Sequence, residues 1–147
     1  MANYWIGVAV AAHVRAAVNG GFAQLGHGRH ASVKALELDD WIVFYSPREN
    51  LDGNEPVQAF TALGRVTSRE PYLSDQVMTG GDRAWRVDVE YEEEAQPTSV
   101  RPLLDRLSMT RERGRHWGMA FRQSRVQATE EDLRIIAEAM GATLDLN

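Results

Sequence analysis

The sequence predicts a small α+β domain: a curled, mostly antiparallel sheet of about five or six strands with helices on its outside. Three observations carry that expectation. Short β-branched and aromatic runs recur along the chain, separated by tight turn signals such as Asp52-Gly53. One of them, "AWRVDVEY", alternates cleanly, with Trp85, Val87, Val89 and Tyr91 on one face and Arg86, Asp88 and Glu90 on the other. The clearest helical pattern stands apart from the strands, in "TEEDLRIIAEAMG".

In chain order, "NYWIGVAV" reads as a buried strand. "AAHVRAAVNGG" continues with helix formers and stops at Gly20-Gly21. "ASVKALELDD" supplies at most a short helical turn, and "DWIVFYSP" a second strand from Trp41 to Ser46, closed by Pro47. "VQAFTALGRVTSREPY" is a long third strand in which Gly64 marks a bulge or bend. "VMTGGDR" is a turn leading into the alternating strand. "TSVRPLLDRLSM" looks like a short helix with Pro102 in its first turn, "TRERGRHWG" like a polar loop, and "MAFRQSRVQA" like a final strand or extended segment. In the last helix Thr129 is the expected N-cap, Leu133, Ile136, Ala137 and Met140 form the apolar stripe, and Gly141 ends it.

With 147 residues and ordinary apolar and charged fractions, a single domain spanning 1–147 is expected. Cysteine is absent, which removes disulfides and thiolate chemistry and fits a cytoplasmic protein. No apolar run approaches the ~20 residues of a membrane span, so no membrane partner is expected. The net charge of −5 argues against a generally basic nucleic-acid binder, but the charge is unevenly spread. No Asp or Glu precedes Glu37, and the stretch Arg106–Arg125 holds six arginines against Glu112 alone. A fold that joins these two cationic segments would carry a positive face on a negative protein.

Several chemistries drop out. The chain has no phosphate-cradling lysine loop, no dinucleotide-binding glycine pattern and no nucleophile elbow. His27 and His30 stand three apart without an expected helix or a third ligand, so neither a metal nor a cofactor is expected. The pairs Asp39-Asp40 and Glu130-Glu131 fit a strand start and a helix first turn.

The polar-aromatic positions remain. Phe22 comes after Gly20-Gly21 and precedes Gln24; Tyr45-Ser46 closes an apolar strand; Phe121-Arg122 comes after His116-Trp117. A flat heteroaromatic ring needs an aromatic face, an amide or hydroxyl at its edge and a cation for its phosphate. Each of these residues can equally serve the core or satisfy a loop carbonyl, and the four tryptophans fit core positions.

"NYWIGV", "GGFAQLGHGRHA", "DWIVFYSP", "QAFTALGRV", "RPLL" and "WGMAFR", then "EEDLRIIAEAM", in that order from Asn3 to Met140, resemble the EVE domain, a member of the PUA-like superfamily. The resemblance implies a PUA-like fold, a small mixed, mostly antiparallel β-barrel flanked by helices. EVE domains are similar to YTH domains, which read N6-methyladenine in RNA with an aromatic cage, and the family implies binding of modified bases, often modified cytosines in DNA. By position, a cage residue of YTH domains falls on Phe22, and the hydroxyl residue after it falls on Ala23, a departure that weakens an adenine-type match. The resemblance therefore implies a base-binding set of Phe22, Gln24, Tyr45, Ser46 and Phe121, and a phosphate-binding set of His27, Arg29 and Arg122. The expected partner is modified DNA or RNA, with any effector on a separate chain and no catalysis. Two other readings stand beside it: a small hydrolase like the related ASCH domains, for which Lys34 is the one available lysine, and a sensor of free nucleotides.

Overall fold

A computed structural model describes residues 2–77 and 83–144, and its strands form one curled eight-stranded sheet. The strands are β1 (Tyr4–Val8), β2 (Phe22–Ala23), β3 (Trp41–Arg48), β4 (Pro56–Val66), β5 (Tyr72–Val77), β6 (Arg83–Tyr91), β7 (Thr98–Ser99) and β8 (Arg125–Ala128). The α-helices are α1 (Ala11–Gly20), α2 (His30–Val33) and α3 (Glu130–Ala139). The main path runs β2-β6-β4-β3-β1-β8, with β5 on β6 and β7 on β4. Among the described strands, β1 and β3 are the parallel pair and the remaining pairs are antiparallel. A parallel pair needs a crossover, and α1 lies in the one between β1 and β3. The expected mixed, mostly antiparallel α+β architecture is thus present. No helix among the described residues is long and apolar enough to cross a membrane.

β3 explains how the core is divided. It is a central strand, flanked by β1 and β4, and both its faces are covered. Its side chains alternate between two apolar clusters: Trp41, Val43 and Tyr45 join α3 and the 101–121 region, whereas Ile42 and Phe44 join α1 and the inner face of β6. A strand buried on both faces reads as a continuous apolar run, and "WIVFY" is one. Against β4 the register slips between Phe44 and Tyr45, where Thr61 is the extra residue. The Thr61 and Ser46 hydroxyls share a hydrogen bond of 2.8 Å there.

The helix ends obey their local sequence. Gly21 takes φ 70°, the left-handed geometry that closes α1. Thr129 caps α3 by accepting the Asp132 N–H at 3.1 Å, and Gly141, at φ 86°, lies just past its end. Gly64 serves close approach: a Cβ there would lie 2.4 Å from Val89 Cγ1 on β6.

Some expectations need correction. β3 does not stop at Ser46 but runs through Pro47 to Arg48. The expected helix over 98–109 is β7 and a 3-10 turn at Arg101–Leu103, and the expected loop before "MAFR" is a 3-10 turn, Gly114–Phe121. The final strand begins only at Arg125. β2 and β5 carry no clear signal in the sequence. The turn expected in "VMTGGDR" falls largely on 78–82, outside the described residues.

Candidate functional site

The fold opens a cleft of about 480 Å³ where four remote parts of the chain meet. The end of β1 and its continuation, Val8 to Val10, line it together with His13 of α1. Gln24 to His27 forms one wall, and Pro47, Arg48 and the exposed Leu51 a rim. Arg122, Gln123 and Ser124 complete the lining. The volume falls within the roughly 300–1,000 Å³ usual for small-ligand pockets. Apolar surface from Val8, Val10, Leu51 and Pro47 lies beside the cations Arg48 and Arg122. Two imidazoles, but no Phe, Tyr or Trp, are among its lining residues. Leu51, 62% exposed at the tip of the β3–β4 turn, is an apolar side chain left largely in water.

A hydrogen-bonded network fixes the wall. His13 Nε2 lies 3.0 Å from the Gln24 carbonyl oxygen. A carbonyl can only accept, so Nε2 carries the proton and Nδ1 is left as an acceptor. Burial pushes the His13 pKa down, the bond to Gln24 opposes this, and the nearby Arg86 charge adds to the lowering. The ring is therefore neutral near pH 7. The Gln24 side-chain oxygen accepts from Arg86 Nε at 2.9 Å, and Arg86 also donates to the Gln76 side chain. The same guanidinium sits 3.7 Å from the Phe22 ring centroid.

The wall loop is backbone-strained in one place. Gly26, His27 and Gly28 have φ of 55°, 60° and 77°, three left-handed residues in succession. Glycine takes this geometry freely, while His27 does so at a cost of about 1–2 kcal/mol. Gly26 is also sterically required: a Cβ would stand 2.0 Å from Ser32 Oγ and 3.2 Å from Ser124 Oγ. Arg125 ties the two cationic segments together, donating to the Ser32 carbonyl at 3.0 Å while its guanidinium lies over the Trp5 ring.

Of the eight residues expected from sequence, the fold brings Gln24, His27 and Arg122 to the cleft. The other five do not line it, which corrects the expectation of one shared slot. Tyr45 is 3% exposed and Phe121 6%, and the two rings stack on each other at 4.1 Å and 16°. They fail to reach the cleft because β3 is covered on both faces and Tyr45 points to the α3 side, where Phe121 fills the place beside it. Burial pushes the Tyr45 pKa up to about 12, partly offset by Arg101, so its hydroxyl stays protonated. Ser46 is fully buried, its hydroxyl bonded to that of Thr61 at the bulge. Phe22 is half-buried on β2 with Arg86 over its face, and the room that Gly20 leaves is filled by the Phe22 ring itself. Arg29 is exposed ahead of α2, outside the lining.

His13, Arg48, Leu51 and Arg86 lie outside the set expected from sequence. Arg48 directly succeeds "FYSP", and Leu51 is an apolar residue inside a polar turn, so both carry a readable signal. His13 and Arg86 carry none, because their roles depend on contacts across the fold.

The EVE domain family model matches residues 3–139. The chain is 42% identical over 144 residues to the UPF0310 protein msl3206 of Mesorhizobium japonicum, covering 97% of this chain and 94% of that one. It is 32% identical over 142 residues to the UPF0310 protein YdcG of Bacillus subtilis, covering 97% and 94%. Among solved structures, Atu2648 from Agrobacterium tumefaciens superposes with a TM-score of 0.59 at 15% identity, covering 98% of this chain and 97% of that one. Human THYN1, solved in complex with DNA containing 5-methylcytosine, superposes with a TM-score of 0.53 at 13% identity, covering 92% and 95%. At such identities the structural likeness speaks for the fold alone. The family match over nearly the whole length and the UPF0310 relatives agree: the chain belongs to the EVE domain family.

Proposed function

We propose that this protein is a nucleic-acid reader that takes one modified base, with methylated cytosine in DNA the leading candidate, into the cleft between the Gln24–His27 wall and the Leu51 rim. The observation that supports it most is the lining itself: apolar faces, polar edge groups and two arginines converge on a pocket-sized opening. The likeness in fold to a protein solved with methylated DNA adds to it.

The chemistry rests on the lining. A base entering the cleft leaves its stack and must recover that contact. With no aromatic ring of Phe, Tyr or Trp in the lining, the recovery falls to Val10, Leu51 and the two imidazoles. A neutral His13 offers Nδ1 as an acceptor, the complement of an exocyclic amino group. Arg48 and Arg122 balance the phosphate that remains at the mouth. A methyl group adds only about 0.8 kcal/mol by burial, so selectivity also requires an edge match that penalises the wrong base. Hydrolysis fits the cleft less well: Lys34 is exposed and stands outside the lining.

The test is a fluorescence anisotropy titration with paired oligonucleotides that differ by a single 5-methylcytosine, in duplex and single-stranded form. Tighter binding of the methylated strand supports the reading. Equal binding of both, or none, contradicts it.

A further inference from the structure

The cleft employs Arg122 but leaves the rest of the arginine-rich segment unexplained. Arg101, Arg106, Arg111, Arg113, Arg115 and Arg122 are all exposed. The ion pairs found among the described residues, those of Arg15, Arg65, Arg83 and Arg134, all lie elsewhere. What these arginines touch is neutral. Arg113 Nε donates to the Met109 carbonyl at 2.9 Å, and Arg101 donates to the Gln58 side-chain oxygen at 2.7 Å. None of these arginines is in an ion pair among the described residues, and the carboxylates beside the segment are the exposed Asp105 and Glu112, nearby in sequence, and the buried Asp132 bonded to Ser108.

Two further features set this surface apart. The backbone is bare: at Gly114 and at Gly118 nothing lies within 4 Å of where a Cβ would stand. And the segment leads to the cleft through packed side chains. Arg101 sits 5.5 Å from the half-buried Trp117 ring, Trp117 packs edge-on to Phe121, and the next residue, Arg122, lines the opening.

We propose that this surface, centred on the 3-10 turn Gly114–Phe121, is a track for the phosphodiester backbone of the strand whose base enters the cleft. The proposal rests on the reader function above and adds a second, sequence-independent contact to it. Guanidinium groups pair with phosphate oxygens in a planar fork, and glycine lets such an oxygen approach the main chain. An acidic protein partner fits less well. A protein interface needs an apolar centre, and Met119, 46% exposed, is the large apolar side chain this turn leaves exposed. The track also gives an acidic chain a route to nucleic acid, because local charge rather than net charge sets phosphate contacts.

The experiment compares the parent, the triple variant Arg111→Ser/Arg113→Ser/Arg115→Ser, and Gly118→Glu, which adds a negative charge where space is open. Each is titrated with methylated and unmodified oligonucleotides between about 50 and 200 mM salt, and with free 5-methylcytidine. For the triple variant the log–log salt slope is expected to become shallower by about 2 to 3, with affinity at low salt at least ~10-fold weaker. Gly118→Glu is expected to move both in the same direction, and nucleoside affinity is expected to stay at the parental value in both variants. Parental slope and affinity in Gly118→Glu and the triple variant overturn the track. If the triple variant does not fold, Gly118→Glu decides alone. If the parent binds methylated and unmodified strands equally, with a steep slope that the variants lose, the reader function fails while the track stands. A parent that binds no oligonucleotide overturns both.

Discussion

The two cationic stretches of this chain, 20–31 with one arginine and two histidines and 101–125 with seven arginines against two acids, end in opposite states. In the first, polar groups are committed to one another: His13 holds the Gln24 main chain, Arg86 holds its side chain, and Phe22 lies under the same guanidinium. In the second, the arginines of 101–122 are exposed and outside any ion pair among the described residues, and Arg101 and Arg113 donate to neutral oxygens. The difference separates shape from charge. A wall that must discriminate between rings a methyl group apart needs fixed positions, because a small energy is lost if the wall gives way. A surface that meets a uniform phosphate chain needs only uncancelled charge.

That comparison can be broken at several points. The largest effect is expected where the second stretch packs into the core. Phe121→Ala removes the stack on Tyr45 and its contacts with Phe60 and Trp117. It should cost about 3–5 kcal/mol, read as a lower denaturant midpoint with an unchanged slope. A loss of base binding at full stability would instead return Tyr45 and Phe121 to the site.

A middle-sized effect is expected at the wall. Arg86→Met deletes a charge-assisted bond to Gln24 and the cover over Phe22, and should cost about 1–3 kcal/mol. Because Arg86 is not part of the cleft lining, weaker base binding in this variant reports the position of Gln24 rather than a lost contact. Unchanged binding would show that the wall holds without it.

How much of this is legible in the sequence varies with the range of the interaction. Local signals are clear: the stop at Gly21, the cap at Thr129, and the alternating face of β6 are each settled within a few residues. The buried run "WIVFY" reads as a strand, but its end reads as an exit from the core. The covering of its far face by α3 and the 101–121 region is a tertiary fact, and it moves Tyr45 and Phe121 from the expected slot into the interior, while Ser46 is buried against Thr61 at the bulge. The cleft wall is legible only in part. Gln24 stands out as an amide in a loop, yet its partner Arg86 lies 62 residues away and belongs to a strand whose outward residues look merely solvated. β2 is two residues long and exists because it pairs with β6, so no periodicity can announce it. Gly20 and Gly21 suggest space for a ligand ring, and the ring that takes the space is Phe22.

A smaller effect is expected from pH. The folded state lowers the His13 pKa, so between the unfolded value near 6.5 and the lower folded value the unfolded chain binds more protons. Stability should therefore be complete above about pH 6.5 and fall as pH drops through that window. In His13→Gln that contribution should vanish, seen as a flatter stability profile below neutrality. The smallest effect is expected at Gly118→Ala, where open space and an ordinary backbone predict a change within about 0.5 kcal/mol.

The central claim is that the opening beside Leu51 receives the base. Leu51→Glu tests it most directly, because a side chain 62% exposed can be exchanged without disturbing the core, while a carboxylate at the rim repels phosphate and removes an apolar face. Titrating parent and variant with free 5-methylcytidine and with a methylated oligonucleotide should show the variant weaker toward both, at an unchanged melting temperature. Binding of both ligands at parental strength by Leu51→Glu would contradict the account.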